Sequence, residues 1–270
     1  MSIKVVAWNM QHQKKAANWD RLLDWEPIAK ADLYLLCEAV PVPEHIKSAG
    51  LEVEMNGSTK ETGCPCEGEK CDNRRFSTAV ASPSGVERLP FKPERRAGTW
   101  IACSADLGAM SVTAIALYGL GDDAYPSYWE STEKAVSEVI PILKDEEYGK
   151  HVLLGGDFNI PAGAPRYGGH EVLERIEDLG LVECLKAGLP ENRYDDPVRR
   201  KDMDHCQCGR GSQCTHTRTF LKQDDPDTPH QDDYLFASAE LADLLEGCHA
   251  LRLDVTSPSD HAPIVAEFNI

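Results

Sequence analysis

Several apolar runs in this chain stop on a residue able to hold a cation or move a proton. The run HVLLGGDFN, residues 151–159, ends on Asp157 and Asn159. Strand side chains alternate, so two residues spaced i, i+2 point into one space. The pattern recurs. KVVAWN ends on Asn9, LYLLCE on Glu38, and IALYG closes near Tyr118. QDDYLF begins with Asp232 and Asp233, and SPSDHAPI carries Asp260 and His261 just before an apolar segment. Singly, each reads as a solvated turn residue. Jointly, Glu38, Asp157, Asp233 and Asp260 could not all stay ionised a few ångströms apart without compensation. A divalent cation supplies it, and carboxylate and amide oxygens are hard ligands suited to Mg²⁺ or Mn²⁺. One histidine among carboxylates is not a zinc set.

Soft ligands form a second pattern. Of 10 cysteines, Cys37, Cys103, Cys184 and Cys248 are isolated in mostly apolar contexts and read as small core residues. The others fall in two groups, Cys64, Cys66 and Cys71, and then Cys206, Cys208 and Cys214 with His205 and His216 beside them. Structural zinc takes four thiolate or imidazole ligands. Cys206, Cys208, Cys214 and His216 supply one such site. Cys64, Cys66 and Cys71 lack a fourth ligand, for which His205 is the nearest candidate if the two loops meet. Disulfides within or between the groups are the alternative. One or two structural Zn²⁺ ions are expected, folding a polar stretch, 190–230, that otherwise lacks a core.

The net charge of −17 weighs against tight nonspecific binding to long duplexes, which rests on a basic face. Local basic groups exist at Arg74-Arg75, Arg95-Arg96 and Arg199-Arg200-Lys201, and Arg218 follows the second cysteine group. Arg218 is a candidate phosphate contact, since a guanidinium suits bidentate binding. No apolar run is long enough for a membrane span. The opening MSIKVVAWNM carries no apolar signal core behind a basic stretch, so a cytoplasmic protein is expected.

The elements that must position these residues follow from periodicity. Strands are predicted at 3–9, 32–39, 76–83, 100–107, 110–120, 151–159 and 231–238, with two more in the closing segment around a polar turn. Helices are predicted at 19–30, at 127–144 with Ser127 as N-cap, at 168–185 with Gly180 as a stop, and near 239–246. The order is not a regular βαβ alternation, which predicts sheets packed on each other and flanked by helices. One domain is expected across residues 1–270, with Cys/His-rich insertions near 60–75 and 195–220.

AWNM, LLCE, LYG, GGDFN, QDDYLF and SDHAP, in that order, resemble the endonuclease/exonuclease/phosphatase superfamily of deoxyribonuclease I-like folds. The resemblance runs from residue 5 to residue 265. It implies an α/β fold, a four-layer α/β/β/α sandwich of two mainly antiparallel sheets flanked by helices. It also implies Mg²⁺-dependent cleavage of phosphoester bonds. By the same resemblance Glu38 is the main metal ligand, with Asn9 and Asp260 completing the site. His261 donates to the scissile phosphate, and Asp233, or its neighbour Asp232, fixes the imidazole. Asp157 orients the attacking water. Asn159 and Tyr118 contact the phosphate.

Three functions remain distinct at this point. A nuclease acting on DNA or RNA is expected first, with Tyr125, Tyr128, Trp129 and Tyr167 as candidate base-stacking residues. A phosphoesterase for a nucleotide, lipid head group or inositol phosphate would share every catalytic residue. A noncatalytic zinc-stabilised binding module would be expected to have lost an acidic ligand, and none is missing.

Overall fold

The computed structural model describes residues 1–11, 17–57, 77–94, 98–120, 127–162, 168–189, 195, 197–221, 230–252 and 257–270. Along them run β1 (Ser2–Asn9), α1 (Ala17–Asp24), β2 (Leu33–Cys37), α2 (Glu44–Ser48), β3 (Glu52–Gly57), β4 (Ser77–Ser82), β5 (Val86–Arg88), β6 (Trp100–Asp106), β7 (Ser111–Tyr118) and α3 (Tyr128–Leu143). There follow β8 (Val152–Asp157), α4 (His170–Asp178), β9 (Leu181–Glu183), α5 (Cys184–Ala187), α6 (Pro197–His205), a 3-10 turn (Gly211–Gln213), β10 (Asp233–Ser238), α7 (Ala239–Ala242), β11 (Leu245–Ala250) and β12 (Ile264–Asn269). No helix among the described residues is long and apolar enough to cross a membrane.

Two 6-stranded sheets result, in the orders β11-β12-β1-β2-β4-β3 and β5-β6-β7-β8-β10-β9. Neighbours are antiparallel except for β1 with β2 and β7 with β8. Strand alternation sorts the side chains into layers. Val5 and Ala7 of β1, Leu33 and Leu35 of β2, Ala114 and Ala116 of β7, Leu153 of β8 and Leu235 and Ala237 of β10 share the core between the sheets. The intervening Val6, Trp8, Tyr34 and Leu36 face the outer layer with Trp19 and Leu22 of α1 and Ile46 of α2. On the other side Ile115, Leu117, Leu154, Tyr234 and Phe236 pack against Ala135, Val136 and Val139 of α3 and Ile176 of α4. The molecule is therefore the expected sandwich of helices, sheet, sheet and helices.

Some boundaries differ from the sequence expectation. The predicted helix at 168–185 is shorter: α4 ends at Asp178, Gly180 turns the chain at φ +89°, and β9 then pairs with β10. Likewise α7 stops at Ala242, and the residues after it form β11 against β12. In both places a short edge strand draws on tertiary pairing that local periodicity does not carry. The predicted helix at 19–30 ends at Asp24. The stretch 190–230 contains α6, which the sequence did not suggest because its Arg, Lys and Asp residues leave no apolar stripe. The edge strands β3 and β5 were also unanticipated, and their mostly partial burial explains the weak alternation. The predicted N-cap of α3 is present, with the Ser127 N–H donating to Glu130 Oε2 at 3.2 Å.

The glycines before Asp157 are required by how closely the layers meet. A Cβ on Gly155 would sit 3.0 Å from Leu35 Cδ1 of the facing sheet and 3.0 Å from Leu235 Cδ1. A Cβ on Gly156, whose φ is +138°, would lie 2.1 Å from the Leu117 carbonyl oxygen and 2.6 Å from Cys37 Sγ. Gly156→Ala is therefore expected to lower stability by about 1–3 kcal/mol, measured by urea denaturation. An unchanged midpoint would contradict the packing described.

Candidate functional site

The polar residues gather at one rim of the inter-sheet space, and strand parity explains how. Asn9 follows Ala7, Asp157 follows Gly155, Asp233 precedes Leu235, and Tyr118 follows Ala116, each pair on one face. Register then aligns them. Asp157 is opposite Asp233 across the β8–β10 pair and beside Tyr118 across β7–β8. Glu38 lies one residue past the inward-facing Cys37 and would point outward if the strand continued. Its backbone instead takes φ +50°, in the left-handed region, and its Oε1 accepts a hydrogen bond from the Tyr118 hydroxyl at 2.5 Å.

Asp157 is the hub. Its Oδ2 accepts from Asn9 Nδ2 at 2.8 Å and Asn159 Nδ2 at 3.0 Å, while its Oδ1 accepts from the Asn159 backbone N–H at 2.9 Å. The strand ends at Asp157, so Asn159 shares its space through a turn, at φ +51°, and not through the strand pleat. The other Asn159 amide hydrogen goes to the Gly119 carbonyl at 2.8 Å. His261 Nδ1 is 2.8 Å from Asp233 Oδ2, and its Nε2 is 3.9 Å from Asp157 Oδ2 and 4.0 Å from Asp260 Oδ1. Between the two acidic candidates it is thus Asp233, not Asp232, that meets the imidazole. Asp260 is tied across to β1, its Oδ2 accepting from Gln11 Nε2 at 2.7 Å.

Burial dominates the electrostatics. It raises the Asp157 carboxyl well above the carboxylate range, with His261 opposing and Asp233 adding to the rise. Burial likewise pushes Asp232 up to about 7. For His261 burial acts downward, but Asp233 and Asp157 outweigh it and hold the imidazole well above its ordinary range. Among the described residues, the buried oxygens Gln11 Oε1, Asp232 Oδ1 and Asp233 Oδ1 accept no hydrogen bond. A pocket dense in hard acceptors, with orphaned oxygens and more carboxylates than cations, suits a divalent cation. Asp157, Asp233 and His261 themselves place ligand atoms within 4.8 Å of one another.

Neutral residues missed in the sequence hold this set together. Thr219 Oγ1 accepts the backbone N–H of both Asp232 and Asp233 at 3.0 Å, and its carbonyl accepts the Ala262 N–H at 2.6 Å. Phe220 packs its ring on His261 at 4.7 Å between centroids. Ser259 donates to the Asn9 carbonyl at 2.8 Å and accepts the His261 N–H at 3.1 Å. No charge or periodicity marks these residues; the one available cue was the HTRTF segment after the second cysteine group. Beside the rim opens a cleft of about 430 Å³ lined by Tyr128, Trp129, Asn159, Phe220, His230 and Asp232 among others. The other stacking candidates, Tyr125 and Tyr167, lie outside the described residues.

The second cysteine group also comes together. Cys206, Cys208, Cys214 and His216 place their sulfur and imidazole nitrogen atoms within 4.8 Å of one another, and none of the described cysteines is in a disulfide. Hydrogen bonding to Cys206 holds the Cys214 thiol down to about 4, and the same bond drives Cys206 upward. His205, the candidate fourth ligand of the first group, has its Nδ1 2.7 Å from the Lys201 carbonyl oxygen of α6. Cys64, Cys66 and Cys71, and the arginines at 74, 75, 95 and 96, lie outside the described residues. Arg218 is directed at Asp202 of α6, with Nη2 3.7 Å from its Oδ1.

No protein-family model matches the chain, and no curated protein matches its sequence. Solved structures do match its fold. A 3′ phosphatase, NExo, from Neisseria, bound to product DNA hairpin, aligns with a TM-score of 0.68 at 16% identity, covering 99% of this chain and 100% of that one. An AP endonuclease from Archaeoglobus fulgidus aligns with a TM-score of 0.63 at 16% identity over 99% and 100% of the two chains. The endonuclease domain of TRAS1, a telomere-specific non-LTR retrotransposon, gives 0.60 at 17% identity over 99% and 98%. The chain therefore has the deoxyribonuclease I-like fold of endonuclease/exonuclease/phosphatase proteins.

The Asp233–His261 pair makes a testable electrostatic claim. Its stabilisation is fully present below the ordinary imidazole value near 6.5 and is lost as pH rises through the higher folded value. Asp233→Asn in metal-free protein is expected to lower the His261 pKa by at least about one unit, equivalent to ~1.4 kcal/mol, read by imidazole NMR titration. Its stability deficit is expected to shrink at alkaline pH. An unmoved titration would show that Asp233 does not charge the ring.

Proposed function

We propose that the chain is a divalent-metal-dependent phosphoric ester hydrolase, and that its substrates are the phosphodiester bonds of DNA or RNA. The observation that carries this reading is the convergence of Asp157, Asp233 and His261 at a buried acidic rim with unsatisfied oxygens. Glu38, Asn9 and Asp260 would hold Mg²⁺ or Mn²⁺, which when bound offsets charge on the phosphate oxygens. The catalytic unit is taken to be the whole chain, with the Cys/His segments as insertions.

The protein's own groups divide the remaining work. His261, cationic and with Nδ1 held by Asp233, offers its Nε2 proton to a phosphate oxygen. Asp157, whose basicity burial increases, accepts in its ionised form the proton of an attacking water. Asn9 and Asn159 fix the direction of that carboxylate. The Asn159 hydrogen now on Asp157 is the one a phosphate oxygen would take as charge builds. Tyr118 holds Glu38 through its hydroxyl and closes the rim beside the phosphate.

The cleft supports a nucleic-acid substrate. Tyr128 is 53% exposed at its mouth, and Trp129 and Phe220 supply further aromatic faces next to Asn159. Aromatic platforms bind unpaired bases with little sequence preference. The negative net charge is compatible with local binding at this cleft, but not with long-range attraction to duplex.

A panel of single- and double-stranded DNA, RNA and a generic phosphodiester, assayed with Mg²⁺, Mn²⁺ and EDTA, tests the proposal. Cleavage of nucleic acid that EDTA removes is the expected outcome. Activity confined to a small ester would replace the substrate class, and inactivity throughout would favour a binding role. His261→Ala and Asp157→Ala are each expected to reduce turnover by at least roughly 10²–10³ with the far-UV circular dichroism unchanged. Near-wild-type turnover in either would remove that residue from the mechanism.

A further inference from the structure

We propose that Cys206, Cys208, Cys214 and His216 bind one zinc ion, and that this ion is the brace holding Thr217–Phe220 against the His261–Asp233 pair. The site is separate from the acidic rim in both location and chemistry. It presents three sulfurs and one imidazole nitrogen, a soft set that hard cations do not favour. Zn–S bonds near 2.3 Å place tetrahedral ligand atoms about 3.8 Å apart. The four ligand atoms here lie within 4.8 Å of one another, and Cys206 Sγ is 3.3 Å from His216 Nδ1. A small inward adjustment closes the tetrahedron, and the thiol protons leave to solvent as the metal binds.

The chain path serves that grouping. Cys206 closes α6, its N–H donating to the Met203 carbonyl at 3.3 Å. Only one residue separates Cys206 from Cys208, a tighter spacing than most structural zinc sites use. The return is made by Gly209 and Gly211, at φ +72° and +52°, and the 3-10 turn that delivers Cys214. A Cβ would meet nothing within 4 Å at either glycine, so their conformational freedom, and not their small size, is what the turn uses. From Asp204 to Arg218 the only buried residue is Cys214. A segment with so little apolar burial does not offset its ordering entropy by packing, and a metal does so directly.

The brace acts over a short distance along the chain. Directly after His216, the Thr217 N–H donates to Gln231 Oε1 at 2.9 Å, and Gln231 Nε2 donates to Glu183 Oε1 at 2.6 Å. Two residues on, Thr219 takes the N–H groups of Asp232 and Asp233, and Phe220 lies on the His261 ring. The ligand His216 is thus the last fixed point before the segment that orients the reacting groups.

The test uses the full chain purified without chelator. Because Cys64, Cys66 and Cys71 are a second candidate group, the decisive quantity is a difference. Elemental analysis of the Cys206→Ser/Cys214→Ser double variant is expected to show one zinc fewer per chain than wild type. Equal zinc in both, zinc absent from both, or iron in its place would overturn the site. Should the double variant not fold, His216→Cys carries the same question. It is expected to retain zinc, and its cobalt-substituted form to absorb at longer wavelength than wild type as sulfur replaces nitrogen. Unshifted bands would remove His216 from the ligand set. Hydrogen exchange tests the brace. Stripping the zinc is expected to speed exchange of the Thr219 and Ala262 amides by about tenfold or more while those of Val5 and Leu235 stay protected. Unchanged exchange at Thr219 and Ala262 would refute the bracing role.

Discussion

The structure depends on confining carboxylates at one end of a dry interface. Within the inter-sheet core the side chains are apolar or small up to Ala7, Ala116, Gly155 and Leu235. One step further along each strand they become Asn9, Tyr118, Asp157 and Asp233. Asp157 and Asp233 stand in register on adjacent strands, both almost completely buried. Like charges so placed are tolerated only with a counter-charge or a proton. Both remedies are present: a cationic His261 beside Asp233, and a neutral tendency in Asp157 and Asp232. The arrangement lowers stability locally and is carried by the three apolar layers around it.

Backbone conformation is used at the same rim. Of the described non-glycine residues with positive φ, Gln11, Glu38 and Asn159 each follow a strand that supplies the site, while Lys30 lies in the turn before β2. Such conformations cost about 1–3 kcal/mol each. Hydrogen bonds hold them: the Gln11 N–H to Asn9 Oδ1 at 2.9 Å, and the Asn159 N–H to Asp157 Oδ1 at 2.9 Å. After Glu38 the Ala39 N–H is fixed to the Ser77 carbonyl at 3.0 Å. At Glu38 the strain changes which side of the sheet the carboxylate serves. Parity would send it to the helix layer, and the left-handed turn returns it to Tyr118.

How much could be read from sequence follows the same physics. Central strands with apolar runs were legible because both faces are buried, and the polar residue ending each run was conspicuous against it. The residues brought to the rim by parity, Asn9, Asp157 and Asp233, were therefore findable. The reason given for Asn159 was not the operative one, since a turn and not the pleat sets its position. Short edge strands such as β9 and β11 were illegible because they exist only through pairing with β10 and β12. The Cys/His spacing announced a cluster but not its docking, because the docking residues Thr217, Thr219 and Gln231 carry no charge. Their role appears only once the backbone donors they satisfy are known.

That docking answers a problem peculiar to two stacked sheets. Asp233 belongs to one sheet and His261 leads into β12 of the other, yet their 2.8 Å hydrogen bond must hold to a fraction of an ångström. Close-packed side chains between the sheets set their spacing, and the Asn9–Asp157 and Tyr118–Glu38 hydrogen bonds already tie one sheet to the other. Thr219 and Phe220 add directional bonds to both sheets. The Thr219 and Phe220 N–H groups go to the His230 carbonyl at 2.9 and 3.0 Å, just ahead of β10. The Leu221 N–H goes to the Asp260 carbonyl at 2.8 Å, and the Ala262 N–H returns to Thr219, just ahead of β12. Phe220 accordingly forms bridges to both His230 and His261. A displacement of one sheet along the other must break this stitch before it separates the imidazole from its carboxylate. The segment following the Cys/His cluster therefore governs the geometry of the charged pair without contributing a charge to it.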